Sequence, residues 1–302
     1  MKLYKSWQNV IMDGLDTHVA NQIKNKYDFA VWKKLNPELA LLVEQNERFR
    51  GIHKGERCFI LANGPSLKET DLSYLKGEIL FGVNLCGEAF YNAGIPLSFY
   101  LSLDGIFFQG YIEDRNHMIQ NLRYIEKMGN VACFFPIECR DFLRGHRFDR
   151  KLDVNYLGPV RLSMEKLVAS EVNPCELTRF RYLSYSIAID AVMAAIYMGF
   201  TEIYLLGCDA SVIKSRIDVF MGNAAGNVHF YGNDGKSFET QMRRRGILQE
   251  LRTEHYCFQN WNYINQYCMK HGIKLINLSS STLLDFIPRK SYEKQLQELG
   301  IG

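Results

Sequence analysis

The chain alternates between short, uninterrupted apolar runs and longer stretches in which apolar residues recur every three or four positions. The apolar runs have the length and composition of strands that are buried on both faces, as in a parallel sheet. Six of these runs are predicted as strands, at 58–61, 79–84, 97–103, 130–135, 202–206 and 273–278. Because helical stretches separate the runs, we predict an α/β fold with a mostly parallel, Rossmann-like sheet flanked by helices.

The helical pattern is clearest at 186–198, where small alanines allow close packing on a sheet and Gly199 supplies a stop. A second helix is predicted at 254–271, and a short closing helix follows residue 283. Residues 1–56 also have helical spacing and are predicted to form an N-terminal helical appendage. The catalytic domain is then expected over 57–290, with a lid at 210–247 and a C-terminal tail at 291–302. Residues 137–183 have no clear pattern.

The charge, apolar content and cysteines of the chain disfavour several classes of protein. The 302 residues carry 36 Lys and Arg against 33 Asp and Glu, a net charge of +3 that is too small to indicate a nucleic-acid partner. No apolar run is long enough to cross a membrane, and the first residues do not resemble a signal peptide. We therefore expect a cytoplasmic protein, with peripheral association at the inner face of the membrane and homo-oligomer formation left open. The eight cysteines include no C-x-x-C pair and are predicted to be buried free thiols.

The turn after the first strand is the first candidate for chemistry. It reads Ala-Asn-Gly-Pro-Ser, and residues 67–75 after it have a helical pattern. Gly64 permits close approach of the backbone, and the amides of a helix N-terminus suit an anionic phosphate. We therefore predict that Asn63, Gly64, Pro65 and Ser66 bind a nucleotide phosphate. The Lys of a Walker loop and the later glycines of the dinucleotide fingerprint are missing, which disfavours a P-loop enzyme.

Polar residues end three other strands. Asn84 and Asp104 terminate two of the predicted strands, and Asp209 comes after a glycine at the end of another; ligands of open α/β sheets bind beyond the carboxyl ends of the strands. We predict that these side chains contact the ligand, although a role as strand-end cap stays open for each. Asp104 and Asp209 have the hard oxygen ligands that Mg²⁺ prefers, but binding of a ribose hydroxyl fits them equally well.

The predicted lid contains a histidine and a basic run. His229 lies among aromatic residues, and an unperturbed imidazole titrates near neutral pH, so we predict that His229 acts as a general base. The run 243–245 consists of three arginines, which either face solvent or clamp a phosphate or carboxylate.

Four blocks together resemble a known family. They are CFILANGPSLKETDLSYLKG from Cys58, YSIAIDAVMAAIYMGFTEIYLLGCD from Tyr185, HFYG from His229 and HGIKLINLSSSTLLDFIPR from His271. Their order and spacing resemble the bacterial lipooligosaccharide sialyltransferases and their wider relatives, which include the hydroxymethylpterin diphosphokinase-like proteins and flagellin-glycosylation factors. The resemblance covers about residues 55–290 and leaves 137–183 unexplained.

The resemblance implies a single nucleotide-binding domain that transfers a sugar acid from a CMP-activated donor without a metal or other cofactor. By the same resemblance, Asn63 contacts the nucleotide phosphate, Asn84 and Ser186 hold the donor, and His229 deprotonates the acceptor hydroxyl. The partners are then a nucleotide-sugar donor and a glycan acceptor. We expect an inverting glycosyltransferase of polysaccharide biosynthesis, with the donor sugar either sialic-acid-like or another keto-acid sugar.

The sequence departs from this family in two respects. The family uses two lid tyrosines to stabilise the departing phosphate, whereas residues 210–228 contain no tyrosine, which leaves Tyr231, Lys214 or Arg216 as substitutes. In addition, the Ser-Leu-Asp ending at 102–104 looks more like the diphosphokinase-like branch. Two alternatives therefore stay open: a Mg²⁺-dependent diphosphokinase that acts on a pterin-like alcohol, and a non-catalytic nucleotide-binding scaffold.

Overall fold

A computed structural model describes residues 17–163, 175–223, 229–230, 240 and 242–301. These residues contain a seven-stranded parallel sheet and a separate two-stranded parallel sheet. The strands, in chain order, are β1 (Arg57–Leu61), β2 (Leu80–Val83), β3 (Phe99–Leu101), β4 (Ala132–Pro136), β5 (Asp153–Leu157), β6 (Val160–Ser163), β7 (Arg181–Leu183), β8 (Glu202–Leu206) and β9 (Lys274–Asn277). The predicted fold class is confirmed.

The helices cover both faces of the large sheet or connect its strands. They are α1 (Thr17–Leu35), α2 (Pro37–Glu44), α3 (Gly87–Asn92), α4 (Ile106–Gln109), α5 (Ile112–Met128), α6 (Arg140–Gly145), α7 (Ile187–Met198), α8 (Val212–Phe220), α9 (Ile247–Lys270) and α10 (Tyr292–Glu298). Within the described ranges, no helix is both long and apolar enough to span a bilayer.

The strand order of the large sheet is β5-β4-β3-β2-β1-β8-β9. The chain moves outward from β1 to β2 and onward to β5, and later returns to the other side of β1 to form β8. The order therefore reverses between β1 and β8, and a crevice at such a switch point, outside the carboxyl ends of the strands, is where open α/β sheets bind ligands.

Helix α7 packs directly on the strands at this switch point. Its alanines, including Ala191 and Ala195, are completely buried, because small side chains let the helix backbone approach the sheet closely. The helix ends at Gly199 in the left-handed conformation (φ 92°), where a Cβ would also crowd Lys54. Both features agree with the sequence-based prediction for this segment.

The segment predicted as an N-terminal appendage is integrated with the domain over residues 37–56. Phe49 is buried, and its ring centroid lies 4.9 Å from that of Phe134 in the same hydrophobic core cluster. Asn46 is also buried, and its side-chain amide donates to the carbonyl oxygens of Tyr156 at 2.7 Å and Leu177 at 3.1 Å. These contacts join residues 45–49 to β5 and to the chain before β7. Residues 1–16 lie outside the described part.

Two parts of the chain differ from the pattern-based expectation. Residues 137–183, which lacked an assignment, supply the edge strand β5 and the small β6–β7 sheet. These strands are short, and the burial of β5 and β7 is partial, so these two strands lack a strong apolar run. The predicted lid at 210–247 is helical over Val212–Phe220, where apolar residues recur with helical spacing. All eight cysteines are free thiols and seven are buried, as predicted.

Candidate active site

A cleft with two chambers lies along the carboxyl edge of the sheet. The narrow chamber, about 170 Å³ in volume, lies at the switch point and is lined by Asn63, Gly64, Asp209 and Trp261 among others. The wide chamber, about 590 Å³, is lined by Asp104, Asp114, Arg181, Asp190 and Arg245 among others. The residues that border both chambers are Asn84, Tyr185, Ser186, Ile187, Val212, Arg216 and His229. The chambers are therefore adjacent parts of one cleft.

The loop at 62–66 is held against the end of β8. The Gly64 N–H donates to the Gly207 carbonyl at 2.8 Å, and the Ser66 N–H donates to the Asp209 carboxylate at 2.8 Å. The Ser66 hydroxyl donates to the other oxygen of the same carboxylate. A Cβ on Gly64 would lie 2.6 Å from the Asp209 carboxyl carbon, so only glycine allows this approach.

These bonds use donors that the predicted phosphate-binding role of the loop would require. The amides of Gly64, Ser66 and Leu67 already have acceptors within the protein, and Pro65 has no N–H. The residues after it form short 3₁₀ turns, at Pro65–Glu69 and Leu72–Leu75, and not the predicted α-helix, so no long helix dipole points to this loop. The Asp209 carboxylate accepts from two of the predicted phosphate donors, the N–H and the hydroxyl of Ser66.

Asn63 and Asn84 are the members of the predicted set with unused hydrogen-bonding capacity. The Asn63 side-chain amide donates to the Val83 carbonyl at 3.2 Å, while its buried Oδ1 has no partner in the described part of the chain. The Oδ1 atom of Asn84 is likewise buried without a partner there. Buried polar atoms without partners are uncommon, so each needs an explanation. Since both residues line the narrow chamber, a bound ligand is one explanation.

Asn84 is held in place by its own backbone. It adopts the left-handed conformation (φ 49°), and its carbonyl oxygen accepts hydrogen bonds from the Tyr100 hydroxyl at 2.7 Å and the Asn121 side chain at 3.1 Å. The left-handed region is accessible to asparagine at low cost. The side chain of Asn84 therefore projects from a fixed backbone at the border of the two chambers.

The N-terminus of α7 also lies at this border. Ser186 is its N-cap residue, and the Ser186 side chain makes no capping hydrogen bond to the amides of the first turn. Ile187 and Ala188, which carry amides of that turn, line the narrow chamber beside Asn63 and Asn84. An uncapped N-terminus of a 12-residue helix favours an anionic group through its amides and its dipole.

His229 and Phe230 lie next to the loop at 62–66. The Phe230 N–H donates to the Asn63 carbonyl at 2.8 Å, and the Phe230 ring stacks on Phe90 with centroids 5.5 Å apart. His229 lines both chambers. The predicted base is therefore at the border of the chambers, a position that the sequence could not show.

The three predicted phosphate-stabilising residues have different outcomes. Arg216 lines both chambers, but its guanidinium forms ion pairs with the buried Glu250 and with Glu254, the latter at 2.6 Å. Lys214 is exposed and lines neither chamber. Tyr231 lies outside the described residues. Arg216 is held by carboxylates on a neighbouring helix, which sequence spacing did not indicate.

Asp104 and Asp209, the pair considered as Mg²⁺ ligands for a diphosphokinase, line different chambers. Asp104 lines the wide chamber, whereas Asp209 lines the narrow one, and both Asp209 oxygens accept hydrogen bonds from Ser66. Burial raises the pKa of Asp209 above its usual range, and desolvation, assisted by the Asp114 charge, raises the pKa of Asp104. No group of three metal-binding side chains converges within the described residues.

The sequence-based analysis did not include Asp190 or Tyr185. Asp190, on α7, lines the wide chamber; burial raises its pKa to about 6, and its carboxylate accepts from the Ser184 hydroxyl at 2.5 Å. Its signal in the sequence is a charged residue within the otherwise apolar IAIDAVMAAIYM. Tyr185 has a positive φ of 62°, which is costly for a tyrosine and is often found at functional sites.

The comparisons with known proteins give little further information. No protein-family model matches the chain, and none of the curated proteins matches it. Among solved structures, a glycosyltransferase described as MAf from Magnetospirillum magneticum AMB-1 matches with 11% identity and a TM-score of 0.45. The match covers 86% of this chain but only 40% of that one. A likeness this distant carries no argument about activity.

Proposed function

We propose that this protein is an inverting glycosyltransferase that moves a sugar from a CMP-activated donor to a glycan acceptor. The observation that carries the proposal is the position of His229, which borders both chambers of one cleft. Beside it, the Oδ1 atoms of Asn63 and Asn84 have no hydrogen-bond partner among the described residues. A transfer reaction needs a donor site and an acceptor site that meet at the reacting atoms, with a base between them.

The nucleotide of the donor is assigned to the narrow chamber, at the switch point where doubly wound folds bind nucleotides. Its phosphate would meet the first amides of α7, while the Oδ1 atoms of Asn63 and Asn84 would accept hydrogen bonds from hydroxyl or amino groups of the nucleotide. This placement replaces the loop amides of Gly64 and Ser66, which have partners already. Asp209 then has a structural role, because it holds Ser66 and the loop in position.

The acceptor is assigned to the wide chamber, and its reacting hydroxyl to the border near His229. In the proposed step, the neutral imidazole takes the hydroxyl proton while the acceptor oxygen bonds to the anomeric carbon. The bond from that carbon to the phosphate oxygen breaks, and CMP leaves with the electron pair. Attack from the side opposite to the leaving group inverts the configuration. The α7 amides would stabilise the charge that develops on the departing phosphate.

A thermal-shift screen tests the nucleotide part of the proposal. The full chain is mixed with CMP, CDP, UDP, GDP or ATP, each with Mg²⁺ and with EDTA. We expect CMP to raise the melting temperature equally in both conditions, because the proposed reaction uses no metal. Ligand at about 100 Kd stabilises the folded state by about 2.7 kcal/mol. If no nucleotide shifts the transition, the protein is not a nucleotide-dependent transferase. A shift by ATP that requires Mg²⁺ would instead support the diphosphokinase alternative.

The Asn63→Ala variant tests whether CMP binds in the narrow chamber. Loss of the Oδ1 acceptor for a hydroxyl or amino group of the nucleotide should weaken CMP binding about 3- to 10-fold in calorimetry. Asn262→Ala is the matched control, since Asn262 is exposed on α9 and lines neither chamber. If both variants bind CMP as the wild type does, the nucleotide lies elsewhere.

A further inference from the structure

We propose that a recess outside the wide chamber binds an anionic group of the acceptor saccharide, with Arg244 as the main contact. We call it the outer recess; it is lined by Ile106, Gln109, Gly110, Tyr111, Arg244 and Arg245. The identification of the ligand as an acceptor rests on the proposed function. The charge and shape of the recess do not depend on it.

The outer recess is continuous with the wide chamber. Ile106 and Arg245 line both spaces, so a saccharide chain whose reacting end occupies the wide chamber can extend into the recess. The recess is open, with a volume of about 690 Å³, which is enough for further sugar units outside the cleft. The geometry therefore suits a chain longer than one sugar.

The two spaces differ in charge. Acidic and basic side chains are mixed in the lining of the wide chamber, which includes Asp104, Asp114, Asp190, Arg181, Arg216 and Arg245. The described residues that line the outer recess include two arginines and no carboxylate, so the recess is the more positive of the two spaces. An anionic group of a saccharide therefore fits the recess better than the chamber.

The two arginines of the recess differ in their partners. Arg245 forms an ion pair with the buried Glu250 at 3.0 Å and donates to the Thr253 hydroxyl at 2.9 Å, so its guanidinium is fixed by the protein. Arg244 is exposed and makes no ion pair within the described ranges. Arg244 therefore has the cation available for a sulfate, phosphate or carboxylate, which a guanidinium can bind through two parallel hydrogen bonds.

An exposed aromatic ring lines the same recess as this cation. Tyr111, the N-cap residue of α5, is 54% exposed and lines the recess. Aromatic rings and polar groups side by side are typical of sites that recognise a ligand through both an apolar face and hydrogen bonds. A sugar unit has these two features, which favours a saccharide over a simple inorganic anion.

Binding of two probes by the full chain tests the proposal. The probes are a sulfated heparin tetrasaccharide and uncharged maltotetraose, measured by calorimetry at low ionic strength. We expect the wild type to bind the sulfated probe more tightly, and Arg244→Gln to weaken that binding about 5- to 10-fold. Arg252→Gln is the matched control, because Arg252 is exposed on α9 and lines none of the three spaces. The melting temperatures of both variants should equal that of the wild type.

Several outcomes would overturn the proposal. They are equal binding of the two tetrasaccharides, no binding of the sulfated one, or equal losses in Arg244→Gln and Arg252→Gln. Vesicles containing phosphatidylglycerol distinguish a saccharide from a membrane: binding to them that depends on Arg244, without Arg244-dependent binding of the tetrasaccharide, would identify a lipid surface as the partner. The CMP affinity of Arg244→Gln should be unchanged. Failure of CMP to bind the wild type would refute the transferase function but not the anion site.

Discussion

The main chain of Phe230 donates a hydrogen bond to the carbonyl oxygen of Asn63, with 2.8 Å between nitrogen and oxygen. The bond joins two segments that are 167 residues apart (230 − 63) and that the sequence suggested separately, one as a nucleotide loop and one as a lid. The Phe230 ring is stacked on Phe90 at an interplanar angle of 13°. The neighbouring His229 is therefore positioned relative to Asn63 by a backbone bond and an aromatic contact.

Removal of the Phe230 ring should separate His229 from the cleft border. We expect Phe230→Ala to lower turnover about 10- to 100-fold, because small displacements of a catalytic group are costly, while CMP affinity changes less than about twofold. Phe230→Tyr retains the ring and should keep most of the activity. The measurements are kcat with donor and acceptor, and CMP affinity by calorimetry. Equal activity of the Ala and Tyr variants would show that the stacking on Phe90 does not position the base.

Substitution of the base itself should change turnover and its pH dependence together. His229→Gln should lower kcat by about 10² to 10⁴, the usual contribution of positioned proton transfer, without weakening CMP binding. The wild-type rate should rise as the imidazole loses its proton, since only the neutral ring accepts one. The rate of the variant should lack this rise. A folded variant with near-normal turnover would move the search for the base to Asp104 or Asp190.

Gly64 should be required for full stability, because the loop at 62–66 packs closely against the loop that follows β8. Gly64→Ala places a methyl group against the Gly207 carbonyl and 2.6 Å from the Asp209 carboxyl carbon, so we expect a loss of at least about 1–3 kcal/mol in the free energy of unfolding. Gly105→Ala is the matched control. Gly105 also has a negative φ (−59°), but its alanine methyl group would meet nothing within 4 Å beyond the adjoining residues.

Urea denaturation at neutral pH measures both glycine variants. Gly105→Ala should be neutral or stabilise the fold by about 0.4–1 kcal/mol, because alanine lowers the entropy of the unfolded chain. If Gly64→Ala is as stable as Gly105→Ala, the close approach of the two loops is not required in solution.

The buried carboxyl of Asp190 should make stability fall as the pH rises. Its pKa is raised from 3.8 to about 6 in the folded protein, so the folded state binds the proton more tightly than the unfolded state does. The resulting stabilisation is complete below pH 4 and is lost as the pH rises through 6. A shift of about two units corresponds to at most about 3 kcal/mol.

Asp190→Asn removes this titration and keeps an oxygen for the Ser184 hydroxyl. We therefore expect the variant to gain stability relative to the wild type as the pH rises, by about 2 kcal/mol between pH 4.5 and pH 8. Urea unfolding of both proteins at these two pH values gives the difference directly, since other titrating groups cancel. A difference that does not change with pH would show that Asp190 titrates normally.

The pattern of apolar and polar residues was sufficient to predict those elements that depend on local composition. The buried strands β1 and β8 and the alanine-rich helix α7 were predictable because apolar runs and small residues at helical spacing identify buried elements. The polar residues after the strands, such as Asn63 and Asn84, were predictable as candidates because parallel strands end at one edge of the sheet. The edge strand β5 was not predictable, because partial burial leaves it without a continuous apolar run.

The partners of these candidate side chains depend on the tertiary structure. Asp209 and Arg216 were both plausible ligands by sequence, but partners far away in the chain engage them: Ser66 binds the carboxylate, and Glu254 the guanidinium. Periodicity and local motifs contain no record of such pairings, which depend on how the strands and helices are arranged. The same arrangement brought His229 to the border of the two chambers and left the Oδ1 atoms of Asn63 and Asn84 without partners in the described residues.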